Sequence, residues 1–246
     1  MFRSASSIGA WWLVVSLWGC GAEPAAEASS PESRAPTPGC RAPTGVSSAP
    51  ATVAETVTLI NALPKPLSLP CFLESLARPL QMNASLSLFS AQPSSGARSP
   101  RMFLFRDPLV MSIVPEGDGA ALLEFGEQRA DLRSLKAEIE FPVATELAPS
   151  APFDRLLFNA QLTTCGGCHP NELQESEVSG VRTFASLALR PHASDRVSVS
   201  SLSDELEACD RTLEPSRCAM LDAVMGWGQV TERDFPADMA TLGGGF

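Results

Sequence analysis

The feature that most constrains this chain is the run Cys165-Gly166-Gly167-Cys168-His169. It places two thiols one turn apart and an imidazole directly after the second thiol. The chain holds only two histidines, so a histidine at this position is a specific signal. The two glycines between the cysteines leave the backbone free to turn tightly. We therefore expect the fold to place the side chains of Cys165, Cys168 and His169 around a bound group.

This run is the attachment pattern of a c-type haem. Each thiol adds to one vinyl group of the porphyrin, and the adjacent histidine binds the iron as its proximal ligand. The spacing therefore predicts haem c as the cofactor, held by Cys165 and Cys168, with His169 as a ligand to the metal.

Two other interpretations use the same side chains. Cys165 and Cys168 could form a redox or structural disulfide, and a thioredoxin-type disulfide requires a buried strand before the motif. Residues 153–164 instead have helical periodicity, which favours haem over that redox site. A zinc site would need two further ligands, drawn from Cys209, Cys218 and His192.

A helix is predicted immediately before the motif. Ser150 is typical of a helix start, and apolar residues recur at helical spacing from Phe153 onward. A helix that ends in the attachment motif resembles the first helix of the cytochrome c family, over about residues 150–170. The resemblance implies a second axial ligand, for which Met239 is favoured over His192, and an open position is the alternative.

The N-terminus has the composition of an export signal. Arg3 precedes an apolar run at 8–18 that is too short to span a bilayer. Leu17, Gly19 and Cys20 then resemble the lipobox of bacterial lipoproteins, which implies a signal peptide cleaved before Cys20 and a lipid on that cysteine. No acidic residue follows Cys20, so the resemblance also implies the outer membrane, facing the periplasm or the cell exterior. An ordinary secretory signal or a non-exported start is the alternative.

Four cysteines remain after the lipid and haem sites are assigned: Cys40, Cys71, Cys209 and Cys218. In an oxidising compartment, four thiols can close two disulfides. Three pairings are possible, and proximity along the chain favours Cys40–Cys71 and Cys209–Cys218.

The chain divides by composition into four parts. Residues 1–19 are the signal peptide, and the Pro-, Ala- and Ser-rich residues 20–52 form a lipidated tether that cannot fold alone. Residues 53–147 form an antiparallel β domain, and residues 148–246 combine helices with a hairpin as the haem-binding domain. The predicted fold class is therefore α+β.

The β domain is predicted from short apolar runs separated by Pro, Gly, Asp and Ser, which are typical of a sandwich or a barrel. Its first strand is expected at 56–61, where apolar and polar residues alternate. Met82 and Met111 are expected in the core. Glu138 and Glu140 alternate with apolar residues, which indicates the wet face of a half-buried strand. No functional site is predicted in this domain.

Composition limits the partners. The chain carries 28 acidic and 18 basic residues, a net charge of −10, which argues against nucleic acid and against electrostatic binding to anionic lipid as partners.

Together, the cysteine motif and the N-terminal signal predict a cytochrome-like lipoprotein, held to the membrane by its N-terminal lipid, that exchanges single electrons with an unidentified redox protein. It is expected to be an electron carrier more than an enzyme, and no catalytic residue is predicted. The alternative is a haem-free surface lipoprotein with a structural disulfide that acts as a binding or structural module.

Overall fold

A mixed sheet of nine strands organises the residues that the computed structural model describes, which are 37–86, 90–159 and 161–242. The strands in chain order are β1 (Leu80–Ser85), β2 (Arg101–Arg106), β3 (Leu109–Ile113), β4 (Leu122–Gln128), β5 (Arg133–Glu140), β6 (Leu173–Val178), β7 (Val181–Leu187), β8 (Leu189–Arg190), β9 (Arg196–Val197), β10 (Val230–Glu232) and β11 (Ala240–Thr241). Strands β8 and β11 form a small separate ladder, and the other strands share the large sheet.

The sheet is built on an antiparallel meander from β1 to β5. Strand β7 pairs with β5, and β6 pairs with β7, so strands from both sides of residue 148 share one sheet. Strand β9 pairs antiparallel and β10 pairs parallel with β1. The sheet does not close into a barrel.

The helices of the described residues are α1 (Val53–Ala62), α2 (Leu69–Glu74), α3 (Ala151–Asp154), α4 (Val199–Glu207) and α5 (Pro215–Met225). The predicted α+β class is therefore confirmed. None of the helices in this part of the chain has the length and apolar character needed to cross a bilayer.

The strand predicted at 56–61 is wrong, because these residues lie within helix α1. The Thr52 hydroxyl accepts a hydrogen bond of 3.1 Å from the N–H of Glu55, and the Glu55 carboxylate accepts one of 2.7 Å from the N–H of Ala51. These reciprocal bonds satisfy N–H groups at the helix start, as a capping box does. The polar–apolar alternation imitated a strand, but the cap and the buried helical face decide the structure.

One face of the sheet is apolar and carries the core. The register places Met82, Leu104, Met111, Phe125 and Ala137 in one row across five strands, and all of them are buried. Burying a large apolar side chain stabilises a fold by about 1.5–3 kcal/mol. The predicted core positions of Met82 and Met111 are confirmed.

The opposite face of the same strands is polar. The neighbouring register row contains Phe103, Ser112, Glu124 and Glu138, and Lys136 lies on the same face of β5. The sequence pattern predicts that Glu138 faces solvent, but this prediction is wrong. Ser112, Lys136 and Glu138 are all buried. The chain after β5 folds back over this face, with α3 packed on β5 and β7. A polar surface is thereby enclosed within the protein.

Two disulfides brace the described chain. Cys40 is bonded to Cys71 at the start of α2, and Cys209 is bonded to Cys218 in α5. The pairing favoured by proximity is therefore confirmed.

Candidate functional site

Two adjoining cavities lie between the polar face of the sheet and the cysteine motif. Their volumes are about 80 Å³ and about 130 Å³. The residues that line both include Arg101, Phe103, Glu124, Leu156, Cys165 and His169. Lys136 and Met239 line the smaller cavity, and Cys168 lines the larger one. We name this joint space the Lys136 cleft.

Lys136 is buried in the floor of the cleft, with 7% of the residue exposed. Its Nζ donates a hydrogen bond of 2.7 Å to Ser134 Oγ and lies 3.4 Å from His169 Nδ1. Within the described residues, no carboxylate forms an ion pair with this ammonium group. Burial therefore lowers the pKa of Lys136 to about 8, since little compensates for the lost hydration.

The imidazole of His169 is neutral near pH 7. Its Nδ1 lies 2.9 Å from the carbonyl oxygen of Leu187, and a carbonyl only accepts, so we assign the ring proton to Nδ1. This leaves Nε2 as the acceptor of the ring. Burial lowers the pKa of His169 to about 3, and the nearby charge of Lys136 acts in the same direction.

Two ion pairs border the cleft. The Arg101 guanidinium lies 2.5 Å from the Glu124 carboxylate and donates a further hydrogen bond of 2.8 Å to Ser112 Oγ. The Arg155 guanidinium lies 2.5 Å from the Glu138 carboxylate. Each of these charges therefore has an opposite charge in contact, in contrast to Lys136.

A 3₁₀ turn at Thr164–Gly167 presents the two cysteines of the motif. The Thr163 hydroxyl accepts from the N–H of Cys165 at 3.2 Å and donates to the Glu172 carboxylate at 2.5 Å. The Glu172 carboxylate also accepts from the N–H of Thr163 at 2.7 Å. The carbonyl of Cys165 accepts from the N–H groups of Cys168 and His169 at 3.0 and 2.9 Å. The turn is therefore held by its own hydrogen bonds.

The helix predicted before the motif is much shorter than its periodicity indicated, since α3 covers only Ala151–Asp154. The Asn159 side chain accepts hydrogen bonds from the N–H groups of Gln161 and Leu162 at 2.8 and 3.0 Å. Asn favours such local turns over helix. The chain therefore reaches the cysteines through a turn.

The thiols of Cys165 and Cys168 are both free. The disulfide considered between them is therefore not formed, and the disulfides of the described chain lie elsewhere. Cys168 is exposed, whereas Cys165 is half-buried. Burial raises the pKa of Cys165 to about 11, although the charge of Lys136 acts in the opposite direction.

We expect iodoacetamide to alkylate Cys168 of the folded protein at least about tenfold faster than Cys165, because the reactive form is the thiolate and access is required. Peptide mass mapping of timed samples measures both rates, with the unfolded chain as the reference for intrinsic reactivity. A Cys165→Ser variant should leave the rate at Cys168 unchanged. Equal rates at the two thiols would contradict the burial described here.

We expect the unfolding free energy of the wild type to rise with pH, relative to that of Lys136→Met, between about pH 8 and the ordinary lysine pKa of about 10.4. In that window the unfolded chain binds more protons at residue 136 than the folded chain does, so raising the pH favours folding. The charged groups that act on Lys136, namely Arg101, Glu124, Cys165 and Glu172, are common to both proteins. Urea denaturation of both proteins at each pH measures the difference, and parallel pH profiles would contradict the burial of an ionisable amine.

Haem c is the wrong cofactor for this site. Among the residues at 37–86, 90–159 and 161–242, no three or more His, Cys, Asp and Glu side chains converge as a set that could hold a metal. The cavities at the motif, of about 80 and about 130 Å³, are below the roughly 300 Å³ at which pockets for drug-sized ligands begin, and a porphyrin needs at least that space. Four of the six described cysteines are in disulfides, and the other two, Cys165 and Cys168, are free thiols.

Four residue roles depend on the haem and have no basis without it. These are attachment at Cys165 and Cys168 and iron ligation by His169 and Met239. The zinc alternative loses two of its three further candidate ligands, since Cys209 and Cys218 are bonded to each other.

The structure nevertheless brings several of the predicted residues together. Cys165, His169 and Met239 line the smaller cavity, and Met239 is buried. The backbone carbonyl of Met239 accepts a hydrogen bond of 2.8 Å from Arg190 Nε. His192 is exposed and lines a separate hollow. Cys20 lies outside the described residues.

Sequence reasoning missed the β-domain side of the cleft, which Arg101, Glu124 and Lys136 supply. The alternation of polar and apolar residues along β5 is typical of a solvent-facing strand. One signal was available, because Lys136 is one of only two lysines in the chain, the other being Lys65. A lysine is rare in a buried position, so burial of this one points to a site.

Comparison of the chain with protein-family models, with curated proteins and with solved structures finds no match.

Proposed function

We propose that this protein is an exported, lipid-anchored, haem-free binding module that holds a small molecule in the Lys136 cleft. The observation that carries this proposal is the buried ammonium group of Lys136, which borders a cavity and has no carboxylate partner within the described residues. An isolated buried charge is costly to a fold. A ligand that neutralises the charge offsets this cost, which makes binding the natural role of the cleft.

The cleft supports binding better than catalysis. Burial keeps the thiol of Cys165 protonated near pH 7, since its pKa is raised to about 11, and a protonated thiol is a poor nucleophile. His169 stays neutral over the same range. The lining is therefore polar and mostly unreactive.

The two parts of the chain contribute differently to this proposal. Residues 53–147, which contain α1, α2 and strands β1 to β5, supply the charged floor of the cleft. The part from 148 to 242, with its helices and the β6–β7 hairpin, supplies the cover. Both parts are therefore needed to form the binding site, because neither lines the cleft alone.

The anchor and the location follow from the N-terminus and the cysteines. Leu17, Gly19 and Cys20 supply the lipobox resemblance, and two disulfides suit an oxidising compartment. We place the protein at the outer membrane, held by a lipid on Cys20. Because Cys40 is bonded to Cys71, the tether that separates the fold from the membrane is the segment before Cys40.

Replacing Cys20 by Ser should move the exported protein from the membrane fraction to the soluble fraction and abolish its labelling with radioactive palmitate. The change removes the sulfur that carries the lipid. Ser29→Ala, a substitution within the tether, should change neither result. A Cys20→Ser protein that remains in the membrane fraction would contradict lipid anchoring at this residue.

Ligand-observed NMR with a set of small water-soluble acids, amides and alcohols tests the binding role. We expect the full chain to bind at least one of these classes and Gly126→Val to lose that binding. Gly126 lines the smaller cavity, where an added Cβ would already lie 3.3 Å from Ser134 Oγ. Thr58→Val, an exposed change on α1, should retain the binding. If no compound distinguishes Gly126→Val from Thr58→Val, the cleft is not the binding site.

A further inference from the structure

The charges of the smaller cavity leave one positive charge without a partner. Arg101 is matched by Glu124, whose carboxylate lies 2.5 Å away. His169 is neutral, because burial lowers its pKa to about 3. The thiol of Cys165 is protonated, because burial raises its pKa to about 11. Lys136 therefore gives this cavity a net charge of one positive unit.

The donors of Lys136 are only partly used. An ammonium group has three N–H donors, and Ser134 Oγ accepts one of them at 2.7 Å. His169 Nδ1, at 3.4 Å, is already protonated toward Leu187 and cannot accept a second. Two donors of Nζ thus remain for a ligand, and a carboxylate group, which only accepts hydrogen bonds, can take both.

Gly126 makes room above this ammonium group. It lies opposite Lys136 in the register of β4 and β5 and lines the smaller cavity. The neighbouring wall is apolar and includes Phe103, Val110 and Leu156. The cavity of about 80 Å³ is several times the roughly 10–15 Å³ of such space that one water needs. This space suits a carboxylate that carries a very short hydrocarbon end.

A more highly charged anion fits less well. Glu124 lines the same cavity, and its charge would repel a second negative charge on the ligand. Arg101, the group best shaped for phosphate, is already bound by Glu124 and Ser112. A monoanion is therefore favoured over phosphate.

We propose that the smaller cavity of the Lys136 cleft binds a small monocarboxylate, with Lys136 Nζ donating to the carboxylate and the apolar wall contacting the hydrocarbon end. This inference rests on the proposed binding function and names its ligand class. Arg190 and Glu138 both line the larger cavity, and their opposite charges leave the net charge of the cleft unchanged.

Calorimetric titration of the full chain with propionate, propionamide and inorganic phosphate tests the proposal. We expect propionate to bind at least about tenfold more tightly than its uncharged analogue propionamide, since only propionate offers a charged acceptor to the Lys136 ammonium group. Phosphate should bind more weakly than propionate. Equal affinities for propionate and propionamide would overturn the proposal, and so would tighter binding of phosphate.

Variants assign the effect to the cavity. Lys136→Met should lose propionate binding by at least about tenfold, for the same energetic reason, while remaining folded because it removes a buried charge. Lys65→Met, the matched change at the other lysine, should bind as the wild type does. Gly126→Val should lose binding without any change of charge. Unchanged propionate binding by Lys136→Met would overturn the proposal.

The outcomes also separate this proposal from the broader one. If the chain binds an amide or an alcohol in a manner that Gly126→Val abolishes, but binds no propionate, the cleft binds ligands of another class. If Gly126→Val affects no ligand, both the binding function of the cleft and the carboxylate assignment fail.

Discussion

Replacing Cys40 and Cys71 together by Ala is expected to lower the free energy of unfolding by roughly 3.7 kcal/mol, the loop-entropy value for their separation of 31 residues. The bond restricts the unfolded chain, and in the folded state it fastens the segment around Cys40 to the start of α2. Urea denaturation at neutral pH measures the change.

The second disulfide is the matched comparison. Cys209 and Cys218 are only 9 residues apart, so the same treatment gives roughly 2.5 kcal/mol for their double replacement by Ala. The longer loop should therefore have the larger effect. A reversed order would show that strain or residual structure in the unfolded chain outweighs loop closure.

Replacing Arg217 by Ala is expected to lower the free energy of unfolding by about 3 kcal/mol, the lower end of the range for breaking a buried ion pair. Arg217 is 2% exposed, and its guanidinium binds Glu205 and, at 2.8 Å, Glu214. Its Nε also donates to the carbonyl of Arg98 at 3.0 Å. The lower end applies because both carboxylates are partly exposed and regain water.

Arg211→Ala is the control for this change. Its side chain is 61% exposed and its guanidinium lies 3.5 Å from the Asp222 carboxylate, so its loss should cost less than about 1 kcal/mol. Urea denaturation of both variants gives the two values. If Arg217→Ala were no more harmful than Arg211→Ala, the buried cluster would not stabilise the helical end of the fold.

Strand positions could be predicted from sequence where turn residues bounded short apolar runs. Strands β2, β3 and β4 coincide with such short apolar runs, because β-hairpin connections are local. The start of α1 could not be predicted from alternation alone. There the cap of Thr52 and Glu55 outweighed a strand-like pattern.

Only one of the two walls of the cleft could be predicted from the sequence. The motif identified Cys165 and His169 as residues of a site, and both line the cleft. Its other wall depends on a non-local event, the folding of the later chain over β4 and β5. That cover turned Lys136 from an apparent surface residue into a buried one. Periodicity reports which face of a strand is polar, but it does not report what covers that face.

The prediction of haem failed because a sequence motif does not report the three-dimensional surroundings of its residues. A motif specifies side chains in sequence, whereas a cofactor also requires space and a converging set of ligands. The cavities of about 80 and about 130 Å³ provide little space, and the described residues do not provide a converging set of metal ligands. The same side chains instead line a small polar cleft around Lys136.

The most direct test of a haem-free cleft is the intact mass of the protein exported from cells that carry the haem-attachment machinery, measured after alkylation of the unfolded, unreduced chain. We predict two intact disulfides, alkyl groups on Cys165 and Cys168, and no porphyrin. A mass increased by one porphyrin, with neither of these thiols alkylated, would contradict the account.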